Sequence, residues 1–130
     1  MQVFVAMWFD ASTTDVWMAG LKPGIEDSEY CSALRVGSLD HNEKIDDRII
    51  AEIRRSGLVV ADFTGDCGGV YFEAGYARGL GIPVIWTCRR TGSTKVHFDT
   101  NRFNYITWET PEELRGRLDA RIRATVLPRR

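Results

Sequence analysis

Two short apolar runs constrain this chain more than anything else in it. Leu58-Val59-Val60-Ala61 and Pro83-Val84-Ile85-Trp86 stand on either side of a glycine-rich loop and a stretch of small residues. Runs this short and this apolar fit strands covered on both faces. The intervening "VYFEAGYARGL" (70–80) has the length of a helix and ends at glycines. A strand, a helix and a strand in that order join parallel neighbours through a right-handed crossover. All-helical and purely antiparallel folds are thereby excluded.

The same alternation runs through the whole chain. "QVFVAM" (2–7) reads as a first strand, "SALRV" (32–36) as a second, "LVVADF" (58–63) as the third, "PVIWT" (83–87) as the fourth and "YITW" (105–108) as a fifth. Helices are expected over residues 12–29, with a kink or restart at Pro23-Gly24, over 43–56, where Ile45, Ile49, Ile50 and Ile53 share a face, and over 70–80. The last helix starts at Thr110, with Pro111 in its first turn and Glu113 placed for a capping box. The expected fold is α/β: a doubly wound, mostly parallel five-stranded sheet in the order 2-1-3-4-5, in one domain spanning 1–130.

Composition sets the outer limits. The 130 residues carry a net charge of −1, which gives no field that would draw the protein to a nucleic acid polymer or a membrane. No apolar run approaches the ~20 residues of a membrane span, and "MQVFVAMWFD" lacks the basic start of a signal peptide. Cys31, Cys67 and Cys88 form neither a CxxC nor an even framework, which suits a reducing cytoplasm. His41 and His97 stand in no ligand spacing with a cysteine, so neither a metal site nor a cofactor is expected.

In sheets of this kind ligands bind beyond the carboxyl ends of the strands where the strand order reverses. Here that point lies between strands 1 and 3, whose ends carry Met7-Trp8-Phe9-Asp10 and Asp62 to Gly69. The loop is not a P-loop, because no Gly-Lys-Ser/Thr follows its glycines. It is not a dinucleotide fingerprint either, because "GDCGGV" lacks GxGxxG and follows the third strand. What remains is Gly68-Gly69 opening a helix, where backbone can approach a ligand closely, and Glu73 beside it. A glutamate in a first turn is also common for dipole reasons alone, and the dipole is expected to keep Glu73 ionised. Ala74, Gly75, Ala77 and Gly79 are expected to let the helix lie close to the sheet. Cys67, beside Asp66, is not expected to be a nucleophile, since an acidic neighbour raises a thiol pKa.

The segment "ADFTG…GGVYFEAGYARGLGIPVI", with "IDDRIIAEIRRSGLVVADF" before it, resembles the nucleoside 2-deoxyribosyltransferase family and the related nucleotide N-glycosidases. The resemblance spans roughly residues 2–90 and is most specific over 58–85. It implies cleavage of the N-glycosidic bond of a nucleoside or nucleotide, by hydrolysis or by transfer to another base. Glu73 matches the nucleophile, Asp47 or Asp46 an upstream acid that binds the sugar and protonates the leaving base, and Gly69 the loop glycine. Substrate contacts are expected from Phe4, Met7, Trp8, Asp62, Gly68, Gly69 and Arg102, and a homo-oligomer is implied. The chemistry is coherent, because a carboxylate against C1′ can stabilise or capture an oxocarbenium-like centre while a second acid supplies a proton. Where the family's first strand often reads Tyr-x-Ala-Gly-Pro, this chain has Phe4-Val5-Ala6-Met7-Trp8, without the hydroxyl.

Other readings share parts of the pattern. A TIR-like enzyme that cleaves NAD would break the same type of bond with a glutamate. A phosphoacceptor receiver would use Asp62, acids near Asp10 and Thr87, but it needs a lysine where this chain has Trp108-Glu109. A non-catalytic nucleotide-binding signalling module is the remaining alternative. The polar stretch 89–104 carries Arg89, Arg90, Lys95 and Arg102, cations suited to a phosphate or simply to solvent.

Overall fold

A computed structural model describes residues 1–8, 11–36, 47–64, 68–90 and 105–126. Five parallel strands form one open sheet in the order β2-β1-β3-β4-β5: β1 Gln2–Ala6, β2 Ser32–Leu34, β3 Leu58–Asp62, β4 Val84–Arg89 and β5 Ile106–Trp108. The doubly wound order expected from the alternation is the one observed. Helix α1 (Thr14–Val16), a π-helical turn (Trp17–Leu21) and α2 (Lys22–Glu26) follow β1; α3 (Asp47–Arg55), α4 (Gly68–Gly79) and α5 (Pro111–Thr125) complete the layers. No helix among the described residues is long and apolar enough to cross a membrane.

Period-two alternation along each buried strand divides the core in two. Val3 and Val5 of β1 and Met7 just past it join Leu58, Val60, Ile106 and Trp108 on one face, under the 14–26 helical stretch and α5. Phe4 and Ala6 join Val59, Ala61, Trp86 and Cys88 on the other, under Ile49 and Ile53 of α3 and Val70, Ala74 and Ala77 of α4. The chain therefore leaves β1 toward one face and β3 toward the other. This opens the crevice above the ends of those two strands.

Several element limits differ from expectation. Pro23-Gly24 does not break the helix. The turn before it widens, with Lys22 N–H reaching the Trp17 carbonyl five residues back, and Pro23 falls in the first turn of α2, where its missing N–H costs little. Helix α4 begins two residues early, at Gly68, and β4 runs on to Arg89, whose N–H donates to Thr64 Oγ1 at 3.0 Å. Thr110 Oγ1 accepts from Glu113 N–H at 3.1 Å, but the Glu113 carboxylate returns to Glu109 N–H at 2.8 Å, one residue outside the expected box. Along α5, Glu113 pairs with Arg117 and Asp119 with Arg123, each at i,i+4 spacing. Residues 43–46 of the expected second helix lie outside the described residues.

The glycines of the chain do two different jobs. Gly20 and Gly24 lie one turn apart against α5, where a Cβ on Gly24 would meet Arg115 O at 3.0 Å and Leu118 Cβ at 3.3 Å. Gly75 and Gly79 face open space, with nothing within 4 Å of a built Cβ. Close packing on the sheet thus belongs to Ala74 and Ala77 and not to those two glycines. We expect Gly24→Ala to lower stability by about 1 kcal/mol, the ~1–3 kcal/mol of overpacking outweighing the ~1 kcal/mol of helix propensity gained. Gly75→Ala, with the propensity gain alone, is expected to raise it by up to ~1 kcal/mol. Thermal melts of both variants check this, and a shift of the same sign in the two would contradict it.

Candidate functional site

The site is built where β1 and β3 end. At the end of β3, Asp62 is 4% exposed and its carboxylate is gripped by three donors. Thr87 Oγ1 of β4 and Trp108 Nε1 of β5 donate to Oδ2, the latter at 3.0 Å, and Thr64 N–H donates to Oδ1 at 3.0 Å. Trp108 thus stands against this carboxylate where a receiver domain would need its lysine. Asp62 reaches inward to the strands beside it, so its first role is to fix the mouth of the crevice. Cys88, on the same strand as Thr87, is inert: burial, and then the charge of Asp62, push its thiol up to about 11.

Glu73 stands in the second turn of α4, half-buried. Its direction follows from the helix. Val70, Ala74 and Ala77 form the stripe against the sheet. Tyr71, on one flank of that stripe, lies 4.8 Å from the Phe63 ring, which lies 4.5 Å from Trp86 of β4. Glu73 projects from the opposite flank, at ~100° per residue, toward β1 and α3, both of which α4 touches. Nothing polar offsets its loss of water enough to keep it an ordinary acid, and burial pushes its carboxyl up from 4.5 to about 7. The expectation that the dipole keeps Glu73 ionised is therefore corrected. A helix end supplies ~0.3–1 kcal/mol, whereas a rise from 4.5 to about 7 corresponds to roughly 3 kcal/mol. Near neutral pH Glu73 exchanges readily between its two protonation states.

The other expected site residues fall into three groups. Trp8 is 41% exposed just past β1, so it is not a core tryptophan. Gly68 and Gly69 form the first turn of α4, as the start of that helix requires, and Asp47 is exposed at the first described turn of α3, off the buried Ile49–Ile53 stripe. Phe4 and Met7 are buried, Phe4 at 1% exposure, in the two core layers, where they support the crevice from beneath. Asp46 and Arg102 lie outside the described residues, as do Lys95 and His97. Of the cations near the end of β4, Arg90 is bound to Glu113 at 2.8 and 2.9 Å and to Thr107, and Arg89 lies 5.2 Å from the Trp108 ring centroid.

One residue at this rim escaped the sequence reading. Arg35, immediately after β2, is half-buried with its guanidinium carbon 4.8 Å from the centroid of the Trp17 ring. The only hint was a charge at the fourth position of the apolar "SALRV" run.

The protonation of Glu73 has a consequence for stability. The folded state holds its proton more tightly than the unfolded chain does. The advantage is complete below pH 4.5 and is lost as pH rises through about 7. Glu73→Gln removes the cost of burying the charge, so the variant is expected to be ~2–3 kcal/mol more stable than the unsubstituted chain at pH 8. The two should be nearly equal near pH 4.5. Denaturant titrations across that range check this, and a difference that does not change with pH would contradict it.

No protein-family model matches the chain, and a search of curated proteins returned no match.

Proposed function

We propose that the protein is an enzyme that cleaves the N-glycosidic bond of a nucleoside or nucleotide, with Glu73 as nucleophile. The observation that carries this reading is the placement of Glu73. It is a desolvated carboxylate, poised to change charge near pH 7, on the flank of α4 that faces the β1 end. A partly desolvated carboxylate is a better nucleophile than a hydrated one, and it becomes competent once its proton is lost. In this reading Glu73 attacks C1′ as the base departs, forming a glycosyl ester, and an acid near the start of α3, Asp47 or Asp46, protonates the base. Trp8 offers an exposed aromatic face on which a base can stack.

The proposal is tested by incubating the full chain with nucleosides, nucleoside monophosphates and NAD and following released base by chromatography. Glu73→Ala is expected to lower base release by at least ~1,000-fold while remaining folded. In the unsubstituted enzyme, kcat/KM should rise with pH, by up to tenfold per pH unit below a midpoint of about 7. A profile that falls through that pH would make Glu73 an acid and not the nucleophile. Undiminished turnover by folded Glu73→Ala would remove it from the mechanism.

Water, more than a second base, is the proposed acceptor. Transfer requires the glycosyl ester to outlast the exchange of one base for another, which demands a rigidly oriented carboxylate. Phe4 brings no hydroxyl to orient Glu73, and its ring lies within the core. With a nucleotide donor and a different free base in excess, free sugar or sugar phosphate should dominate. Efficient formation of the exchanged nucleotide would restore the transferase reading.

A further inference from the structure

We propose that a clasp of Arg90, Glu113 and Arg117 closes the outer edge of β5, and that it keeps a second copy of this chain from pairing there strand to strand. The inference concerns the rim of the sheet and stands apart from the reading of Glu73.

The first observation is which peptide groups the sheet leaves facing outward. Among the described residues the sheet ends on β2 at one side and β5 at the other, each three residues long. An outer strand turns the N–H and C=O of every second residue away from its neighbour, and those groups are a template for a further strand. The ladder fixes which residues they are. Arg90 N–H donates to Trp108 O, so Trp108 points its peptide groups at β4 and Thr107 points its own away. At the other side Ser32 N–H donates to Met1 O, which makes Ala33 the outward residue of β2.

The second observation is what sits on those groups. Thr107 O accepts from Arg90 Nη1 at 3.0 Å and from Arg117 Nη1 at 2.6 Å, which uses both lone pairs of that carbonyl. Arg90 Nη1 also donates to Thr107 Oγ1 at 2.9 Å. Just past the strand, Glu109 N–H donates to Glu113 Oε1 at 2.8 Å. Glu113 holds the clasp together: Arg90 Nη2 reaches its two oxygens at 2.8 and 2.9 Å, and Arg117 Nη1 lies 3.8 Å from Oε2. The opposite rim is treated alike. Ala33 N–H donates to Glu26 Oε2 at 3.1 Å, and Lys22 Nζ lies 3.5 Å from Glu26 Oε1.

Stability alone does not account for the clasp. Arg90, Glu113 and Arg117 are partly exposed, and ion pairs so open to water add little to folding. Their acceptor, by contrast, is the one a further strand needs. Pairing there must displace two charge-assisted hydrogen bonds and lay a backbone beside two guanidiniums. The partner present in every solution of this protein is another copy of itself. Two β5 edges set antiparallel about a two-fold axis put Thr107 opposite Thr107, each exchanging an N–H and a C=O with the other. The clasp occupies that carbonyl in both copies.

The test combines sedimentation velocity with hydrogen exchange read by mass spectrometry, on the full chain. Arg90→Ala/Arg117→Ala strips both guanidiniums from Thr107. Arg115→Ala/Arg123→Ala is the matched control, since it removes the same charge at residues bound to Asp27 and Asp119. The Arg90/Arg117 variant is expected to self-associate at a concentration at least ~10-fold lower than the unsubstituted chain or the control, the effect of about one charge-assisted hydrogen bond. Its amide exchange over residues 105–109 should slow as concentration rises, and exchange there in the unsubstituted chain should not depend on concentration. A variant no more associated than the control overturns the inference. So does association whose protection falls outside 105–109, or concentration-dependent protection of 105–109 in the unsubstituted chain. If the double variant loses its fold, Arg117→Ala is compared with Arg115→Ala in the same way. The same shift at smaller amplitude then supports the inference, and no shift overturns it.

Discussion

A single buried carboxylate organises the working end of this sheet. Asp62 receives a hydroxyl from β4, an indole N–H from β5 and a backbone N–H from its own loop. A buried aspartate without donors would cost several kcal/mol, and removing a donor from a satisfied one costs nearly as much. The register of β3, β4 and β5 at their carboxyl ends is therefore tied to one side chain. Everything beyond those ends is mounted on that fixed edge, including the first turn of α4 and hence Glu73. Trp108, fully buried, packs in one core layer and completes the grip on Asp62 with its N–H.

The site pairs this satisfied acid with an unsatisfied one. Asp62 and Glu73 are close in sequence, and both stand near the same strand end, yet their environments differ in kind. Donors surround Asp62, and the absence of water dominates at Glu73. One carboxylate therefore holds structure, and the other is available for proton transfer or covalent chemistry near neutral pH. Such divergence between neighbouring acids is how a fold separates roles among like residues.

The sequence carried the sheet well because strand order depends on apolar runs and on crossover handedness, both of which are local. It carried the π-helical turn poorly. Pro23 and Gly24 read locally as a break, but the turn before them widens, Pro23 falls in the first turn of α2, and Gly24 is pressed close to α5. Gly75 and Gly79 misled in the opposite way, since small residues look the same whether a neighbour presses on them or nothing does. At the site, position was legible in Gly68, Gly69 and Glu73, but protonation was not. The helix dipole can be anticipated from chain order, whereas desolvation depends on what the folded chain places around the side chain. Arg35 was missed for a related reason. Its partner Trp17 is eighteen positions away in the chain, and no spacing rule links a strand end to a helix ring.

The central position of β1 has a consequence for biosynthesis. Val3 pairs with Leu58, 55 positions later. At ~5–20 residues per second, a ribosome needs several seconds to deliver that partner. Throughout that interval one edge of an almost wholly apolar strand has no mate, and such an edge invites pairing with other nascent chains. The same parallel connectivity that opens a crevice at the crest of β1 thus leaves this strand the most exposed to misassembly during translation, and cellular folding factors would find their earliest binding segment there.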